Sequence, residues 1–338
     1  MEDLLTALKK KANIGKSVFE KFIRRNYRMN EIAKGIDLSA LKGNQYDWLL
    51  ARLITEGTET PSPQKESAWR LPPVTLAYDL RVETGEADRI LLPVPKSSSK
   101  NGIFSAIGEI TAFMNGVVTH EGLMEFGCDW WERWTSEEYL KHCELDLMPG
   151  ELGPGSYGAA LHDFPTAEGK PFNQVKHVTE QIKELPYLRT HLWTTWIPQY
   201  IGRGKGKKRQ VAVAPCHGTI TDFVPNIQTK ELSLYHVQRS GDVPVGVKWN
   251  IIQYCAALLM MAHVTGYKPA FYYHIILDPH IYARQVEPVK EYLKFPEKDF
   301  PNLVLKNTDI TDIFAFRNTD FELEGYLKRP YINIPTPD

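Results

Sequence analysis

Ala214-Pro215-Cys216-His217, then Gln238-Arg239-Ser240-Gly241-Asp242, then Asn250 inside the apolar run 249–266, are the stretches from which the rest of this chain is read. They put a thiol, a guanidinium suited to an anion and a two-sided amide into one short region. That set suits covalent chemistry on a pyrimidine nucleotide, in which a thiolate adds to the ring and an amide reads its edge. The run 249–266 is nearly all apolar, which predicts a helix buried on most sides. Residues 211–223 and 232–238 before it, and 271–277 after it, read as strands.

Working outward, residues 74–92 read as two strands around Glu83-Thr84-Gly85, residues 103–114 and 173–185 as helices, and 189–196 as another strand. A strand at 303–305 and a helix at 286–293 complete an α+β pattern. Residues 1–55 carry helical spacing (Leu4, Leu5, Leu8; Val18, Phe19, Phe22, Ile23; Leu49, Leu50, Leu53) and are expected to form an N-terminal helical extension. The Thr, Pro and Ser of residues 56–67 predict a loop or linker, so the catalytic domain is expected to span 56–338.

With 338 residues, 43% hydrophobic and 24% charged, the chain can bury a sizeable core. A net charge of -1 supplies no general attraction for nucleic acid. Four cysteines without a CxxC pair suit a reducing compartment, and ten histidines without HExxH or Cys/His spacing predict no metal site. The longest apolar stretch, around 254–264, is shorter than a bilayer span, and the N-terminus lacks a signal-type apolar region; a cytoplasmic protein is expected. Gly15-Lys16-Ser17 is not a P-loop, because Lys10 stands where the first glycine belongs. Arg203, Lys205, Lys207, Lys208 and Arg209 form a basic run that reads either as a solvated loop tip or as a phosphate contact.

The run at 214–217, the Gln238–Asp242 motif with Gly246 and Asn250, Asp278-Pro279-His280-Ile281-Tyr282, and Asp320-Phe321-Glu322-Leu323-Glu324-Gly325-Tyr326 together resemble the thymidylate synthase family in order and spacing. The resemblance is dense from about residue 211 onward, thinner over 103–196 and absent from the first fifty or so. It implies a three-layer α+β fold with a large mixed sheet and a long buried helix. It also implies a homodimer that transfers a one-carbon unit from 5,10-methylenetetrahydrofolate to C5 of dUMP.

On this resemblance Cys216 is the nucleophile, with Arg239 lowering its pKa and holding the nucleotide phosphate with Ser240. Read alone, Cys216 also suits core packing; the flanking Pro215 and downstream Arg239 favour the chemical role. Asn250 is expected to donate to O4 and accept from N3–H, which suits uracil; a cap on the following helix is the other reading. Glu109 matches the family's general acid and base, and Tyr157 a tyrosine that assists proton removal. Gln238 joins Arg239 and Ser240 in the substrate site, and His280 with Tyr282 matches the pair on the sugar hydroxyl. Trp131, Trp134, Val213, Asp242 and Gly246 match the folate site; for the tryptophans, core packing is equally open. Arg189 matches the first of two arginines given across the dimer to the partner's phosphate, but Thr190 replaces the second.

Other departures are the surroundings of Glu109 and the run Ala160-Leu161-His162, where the family has Gln-Trp-Arg. The end Ile334-Pro335-Thr336-Pro337-Asp338 is more polar than the apolar lid of methylating members. A lid that admits water leads to hydroxymethyl rather than methyl transfer. The expected activity therefore leans to a dUMP 5-hydroxymethylase of the kind bacteriophages use to make a modified DNA base. An atypical thymidylate synthase and a non-catalytic nucleotide- or RNA-binding relative are the alternatives.

Overall fold

The central element of the computed structural model is a helix, α4 (Lys248–Thr265), ended by Gly266 at φ 73°, where a left-handed residue releases the chain. The model describes residues 44–204 and 206–336; the helices expected before residue 44, and Lys205, lie outside the described residues. One face of α4 packs on β7 (Glu231–Gln238) and β9 (Lys268–Ile276), and another on α2 (Lys100–Met114). Sheet, α4 and α2 make three layers, which is why α4 is apolar all round. Preceded by a π-helical turn at Val243–Val247, the run Val243–Thr265 is longer than the sequence suggests. It is the one candidate among the described residues long and apolar enough for a membrane, and 78% of its apolar 18-residue window is buried in the fold.

The large sheet is mixed, in the order β3 (Val74–Asp79), β9, β7, β6 (Ile220–Asn226), β5 (Leu192–Trp193), with only β7 and β9 parallel. Alternation along β7 turns Leu232, Leu234, His236 and Gln238 inward and leaves Tyr235 exposed. Two smaller sheets run β1 (Thr58–Pro61), β2 (Ser67–Arg70), β10 (Pro279–Tyr282), β8 (Gly241–Asp242), and β12 (Phe321–Glu324), β11 (Asn302–Leu305), β4 (Arg89–Leu91).

Residues 56–67 are not simply a loop: they carry β1 and enter a hairpin whose second strand pairs antiparallel with β10, setting Arg70 opposite His280. Just before it, α1 (Gln45–Glu56) buries Tyr46, Leu49, Leu50, Leu53 and Ile54 in the shared core. The two strands in 74–92 do not pair with each other; β3 joins the large sheet and β4 pairs with β11.

The strand expected at 211–223 begins only at Ile220. Pro215 has no N–H to give a ladder, and the backbone groups nearby are taken by side chains. Arg239 donates to the carbonyls of Pro215 (2.8 Å) and Ala214 (3.1 Å), and the Cys216 N–H goes to the Tyr157 hydroxyl at 2.7 Å. Likewise the strand expected at 189–196 shrinks to β5, because the Thr194 N–H is claimed by Gln174 Oε1 at 2.9 Å.

Candidate active site

Cys216 sits in the irregular segment ahead of β6, half-buried, with its Sγ 3.5 Å from Arg239 Nη2. Its backbone carbonyl accepts the Arg239 N–H at 3.0 Å, so thiol and guanidinium are fixed to one another by main chain as well as side chain. Burial pushes the thiol up, Arg239 pulls it down and Asp242 adds to the rise. Arg239 lies over the Trp196 ring at 5.0 Å, a contact that keeps the guanidinium flat against the segment it braces.

Tyr157 starts the short helix α3 (Tyr157–His162) and is fully enclosed, its ring stacked between Phe113 (4.7 Å) and His217 (4.2 Å). Its hydroxyl accepts the Cys216 N–H and so retains a proton of its own to donate. Behind it, His236 on β7 and His274 on β9 are buried on the inner face of the sheet, with the His217 ring 6.4 Å from that of His236. Burial pushes His217 and His274 down to about 3, so these imidazoles stay neutral. His236 accepts the Gly218 N–H at Nε2 (2.9 Å), which leaves its Nδ1–H to donate to the Tyr272 hydroxyl (2.9 Å).

Glu109 lies on α2, whose first turn is capped by the Ser99 hydroxyl accepting the Gly102 N–H at 3.1 Å. The carboxyl is buried and takes hydrogen bonds from Trp131 Nε1 and Gln253 Nε2. Burial drives its pKa up to about 7 against the pull of those two donors. A carboxyl poised near neutrality is suited to passing protons both ways.

Asn250 is the third residue of α4 and does not cap it; its amide points inward. Oδ1 accepts from Gln238 Nε2 at 3.0 Å and Nδ2 donates to Gln253 Oε1 at 2.9 Å. Gln238 is held in turn by the Ser240 carbonyl (2.9 Å) and by His274 Nε2 (2.8 Å from Oε1). Cys216, Arg239, Tyr157, Glu109, Trp131, Gln238, Ser240 and Asn250 thus belong to one connected cluster.

Beside it, β8 and β10 run parallel with Asp242 opposite His280. His280 and Tyr282 meet edge to face at 5.1 Å, and the Tyr282 hydroxyl donates to Gln64 at 3.2 Å. Asp242 Oδ2 accepts from Gln285 Nε2 at 3.0 Å, whereas its buried Oδ1 has no hydrogen-bond partner among the described residues. Burial raises this carboxyl to about 6 and lowers the neighbouring Lys248 to about 8. A Cβ placed on Gly246 would meet only Asn250 Oδ1, at 3.8 Å, so there is room at that point. A carboxylate oxygen without a partner among the described residues and open space at Gly246, four residues on, fit an amide-bearing heterocycle such as a pterin; Val213 and Trp134 are half-buried against the core. Trp131 is more deeply placed, against Phe113 and Tyr157, and joins core packing to its hydrogen bond with Glu109.

Arg189 is not brought to this cluster. It is exposed on the far side of the large sheet, in a broad groove of about 980 Å³ shared with Tyr187, Val224, Tyr235 and Tyr273. Of the basic run, Lys208 pairs with Glu144 at 3.5 Å and Arg209 donates to the Tyr139 hydroxyl at 3.3 Å. Sequence reading passed over Gln253, Trp196 and Gln285. Gln253 was open to detection, as a lone amide in an apolar helix one turn after Asn250; the other two sit in stretches without such contrast.

Gln285 also donates to the Pro335 carbonyl at 3.0 Å, and Ile332 and Ile334 pack against the core. The C-terminal segment is therefore docked at the Asp242 end of the site.

The family model described as thymidylate synthase matches residues 44–336, the whole span from the first described residue to the last.

Proposed function

The chain belongs to the thymidylate synthase family, whose members are C1 transferases, and from that premise we propose that it adds a one-carbon unit to C5 of dUMP through a covalent bond between Cys216 and C6 of the base. The observation that carries this reading is the connected cluster, with Cys216 Sγ 3.5 Å from Arg239 at one end and Glu109 linked to Asn250 at the other. 5,10-Methylenetetrahydrofolate supplies the one-carbon unit and, for a methyl product, the hydride. Asp242 would hold its heterocycle through Oδ1, with Trp134, Val213 and Gly246 lining the pocket.

The residues divide the work by their chemistry. Cys216 supplies the electron pair; Asn250 orients the base through its remaining N–H and oxygen lone pair; Arg239 and Ser240 take the phosphate; His280 and Tyr282 take the sugar hydroxyl. Tyr157 and Glu109 move protons at C5 and O4. If Glu109 acts as base in its ionised form, kcat is expected to rise with pH through about 7. Glu109→Gln is then expected to lower kcat by ~10²–10⁴-fold and to erase that limb; a Gln variant with the parent's profile would exclude Glu109 from proton transfer.

Our reading of the product is 5-hydroxymethyl-dUMP, supported by the polar, proline-bearing segment 334–338. The docking of Ile332, Ile334 and Pro335 favours the second reading, dTMP formation with water excluded. Mass spectrometry of the products from dUMP and methylenetetrahydrofolate decides. Hydroxymethyl-dUMP with tetrahydrofolate supports the first, dTMP with dihydrofolate the second, and no covalent or released product sinks both.

Assembly as a homodimer through the outer face of the large sheet is part of the same proposal. Val224 and Tyr235 are exposed there, Tyr235 stacks on Tyr273 at 4.6 Å, and Arg189 stands on the same face, which in this reading turns it towards the partner. Sedimentation is expected to give a dimer at micromolar concentration and a monomer for Tyr235→Glu. A parent that sediments as a monomer would leave Arg189 without a role.

A further inference from the structure

Gln253 is fully buried in the middle of α4, and an amide there is costly unless both of its ends are hydrogen-bonded. Both are, and the partners are the two groups on which the proposed chemistry turns. Oε1 accepts from Asn250 Nδ2 at 2.9 Å, one helical turn away, and Nε2 donates to Glu109 Oε2, 144 residues distant in sequence. Upstream, His274 Nε2 faces Gln238 Oε1 at 2.8 Å, and an amide oxygen only accepts, so the imidazole donates. Gln238 Nε2 then donates to Asn250 Oδ1 at 3.0 Å. From His274 through Gln238, Asn250 and Gln253 to Glu109, every donor points the same way.

We propose that Gln253 is a positioning residue that locks the base-reading face of Asn250 to the ionised form of Glu109. The inference rests on the functional reading above. An ionised carboxylate has no proton to give, so Gln253 must present its N–H to Glu109 and its oxygen to Asn250. Asn250 is then left with one Nδ2–H and one Oδ1 lone pair for a ligand. That pattern matches the O4 acceptor and N3–H donor of uracil and opposes the N4 amino group and bare N3 of cytosine. Turning the Asn250 amide over would break its bonds to both Gln238 and Gln253 and set like groups against each other.

Gln253→Leu and Gln253→Glu in the full chain separate the two halves of this role. Leu removes both hydrogen bonds. The preference for dUMP over dCMP in kcat/KM is expected to fall about tenfold or more, the worth of one such bond. The midpoint of the kcat–pH profile is expected to move up by about one unit, because Glu109 loses a donor to its charged form. Glu keeps an acceptor for Asn250 but sets a second carboxyl against Glu109, so base preference should hold while the midpoint moves up further. Should the Leu variant fail to fold, the Glu variant still tests the link through its midpoint.

Variants with the parent's base preference and pH midpoint would overturn the proposal while leaving the activity in place. If the parent neither binds nor converts dUMP, the functional reading falls instead. Infrared titration of the Glu109 carboxyl, shifted upward in Gln253→Leu or unshifted, then supports or overturns the link between Gln253 and Glu109 by itself.

Discussion

Cys216→Ala is expected to lower turnover by roughly 10⁴-fold or more, the scale seen when a nucleophile that acts with its partners is removed, while nucleotide binding changes only a few-fold. The thiol is half-buried, 3.5 Å from Arg239, and makes one weak contact of its own, 3.4 Å to the Ala214 carbonyl. Its loss leaves no large cavity and no orphaned polar group. The phosphate and base contacts assigned to Arg239, Ser240 and Asn250 do not pass through it. Burial pushes the thiol up, and Arg239 is engaged by the carbonyls of Pro215 and Ala214 and by the face of Trp196. Cys216→Ser is expected to be nearly as inactive, because a hydroxyl in the same place is far harder to ionise. Intact-protein mass spectrometry with 5-fluoro-dUMP and the folate should trap an adduct on the parent and none on Cys216→Ala. Turnover surviving in the alanine variant would end the covalent reading.

Lys96→Met is expected to cost about 3–5 kcal/mol of stability, the usual result of stranding a buried charge. Asp47, fully buried on α1, meets Lys96 Nζ at 2.7 Å, and Lys96 is only 3% exposed. The Tyr292 hydroxyl donates to Asp47 Oδ1 at 2.7 Å, and Lys96 Nζ also donates to the Phe295 carbonyl at 2.9 Å. The cluster thus ties α1 to the end of α5 (Val286–Leu293) and to the segment leading into α2. Burial raises Asp47 to about 6 even with Lys96 beside it. Because the folded pKa lies above the unfolded one, the contribution of this carboxyl is fully present below about pH 4 and declines as pH rises through about 6. Without Lys96 the folded pKa rises further and the decline continues to higher pH, so the deficit of the variant is smallest in acid and largest at pH 8. Urea melts at pH 5 and pH 8 check this; an equal deficit at both would mean that Asp47 is not the charge left stranded. Adding Asp47→Asn should recover part of the loss at pH 8.

Local signals were legible wherever a segment carries its own reason to be regular. Ser99 and Asn173 precede the helices they cap, Gly266 ends α4, and the alternation of residues 232–238 marks β7. The signals misled where backbone partners come from afar. The stretch holding Cys216 has a strand's composition, yet its polar groups are claimed by Arg239 and Tyr157. The Thr-, Pro- and Ser-rich stretch at 56–67 has the composition of a linker, yet β10, more than two hundred residues later, pairs with the second strand of its hairpin. Asn250 has the position of a cap, yet the helix starts before it and its amide is drawn inward by Gln238 and Gln253.

By itself the sequence determined the α+β class, the buried central helix and the order in which Cys216, Arg239, Asp242 and Asn250 follow one another, because hydrophobic period, capping chemistry and motif spacing are properties of neighbouring residues. Only the tertiary structure decided that Glu109 meets Asn250 through Gln253, that Gln285 binds one Asp242 oxygen along with the C-terminal segment while the other has no partner among the described residues, and that Arg189 stands on the opposite face of the sheet. Those contacts join segments far apart in the chain, and their geometry is set by how sheet, α4 and α2 stack. A buried amide or carboxyl finds its partner in that stacking, and no local pattern encodes it.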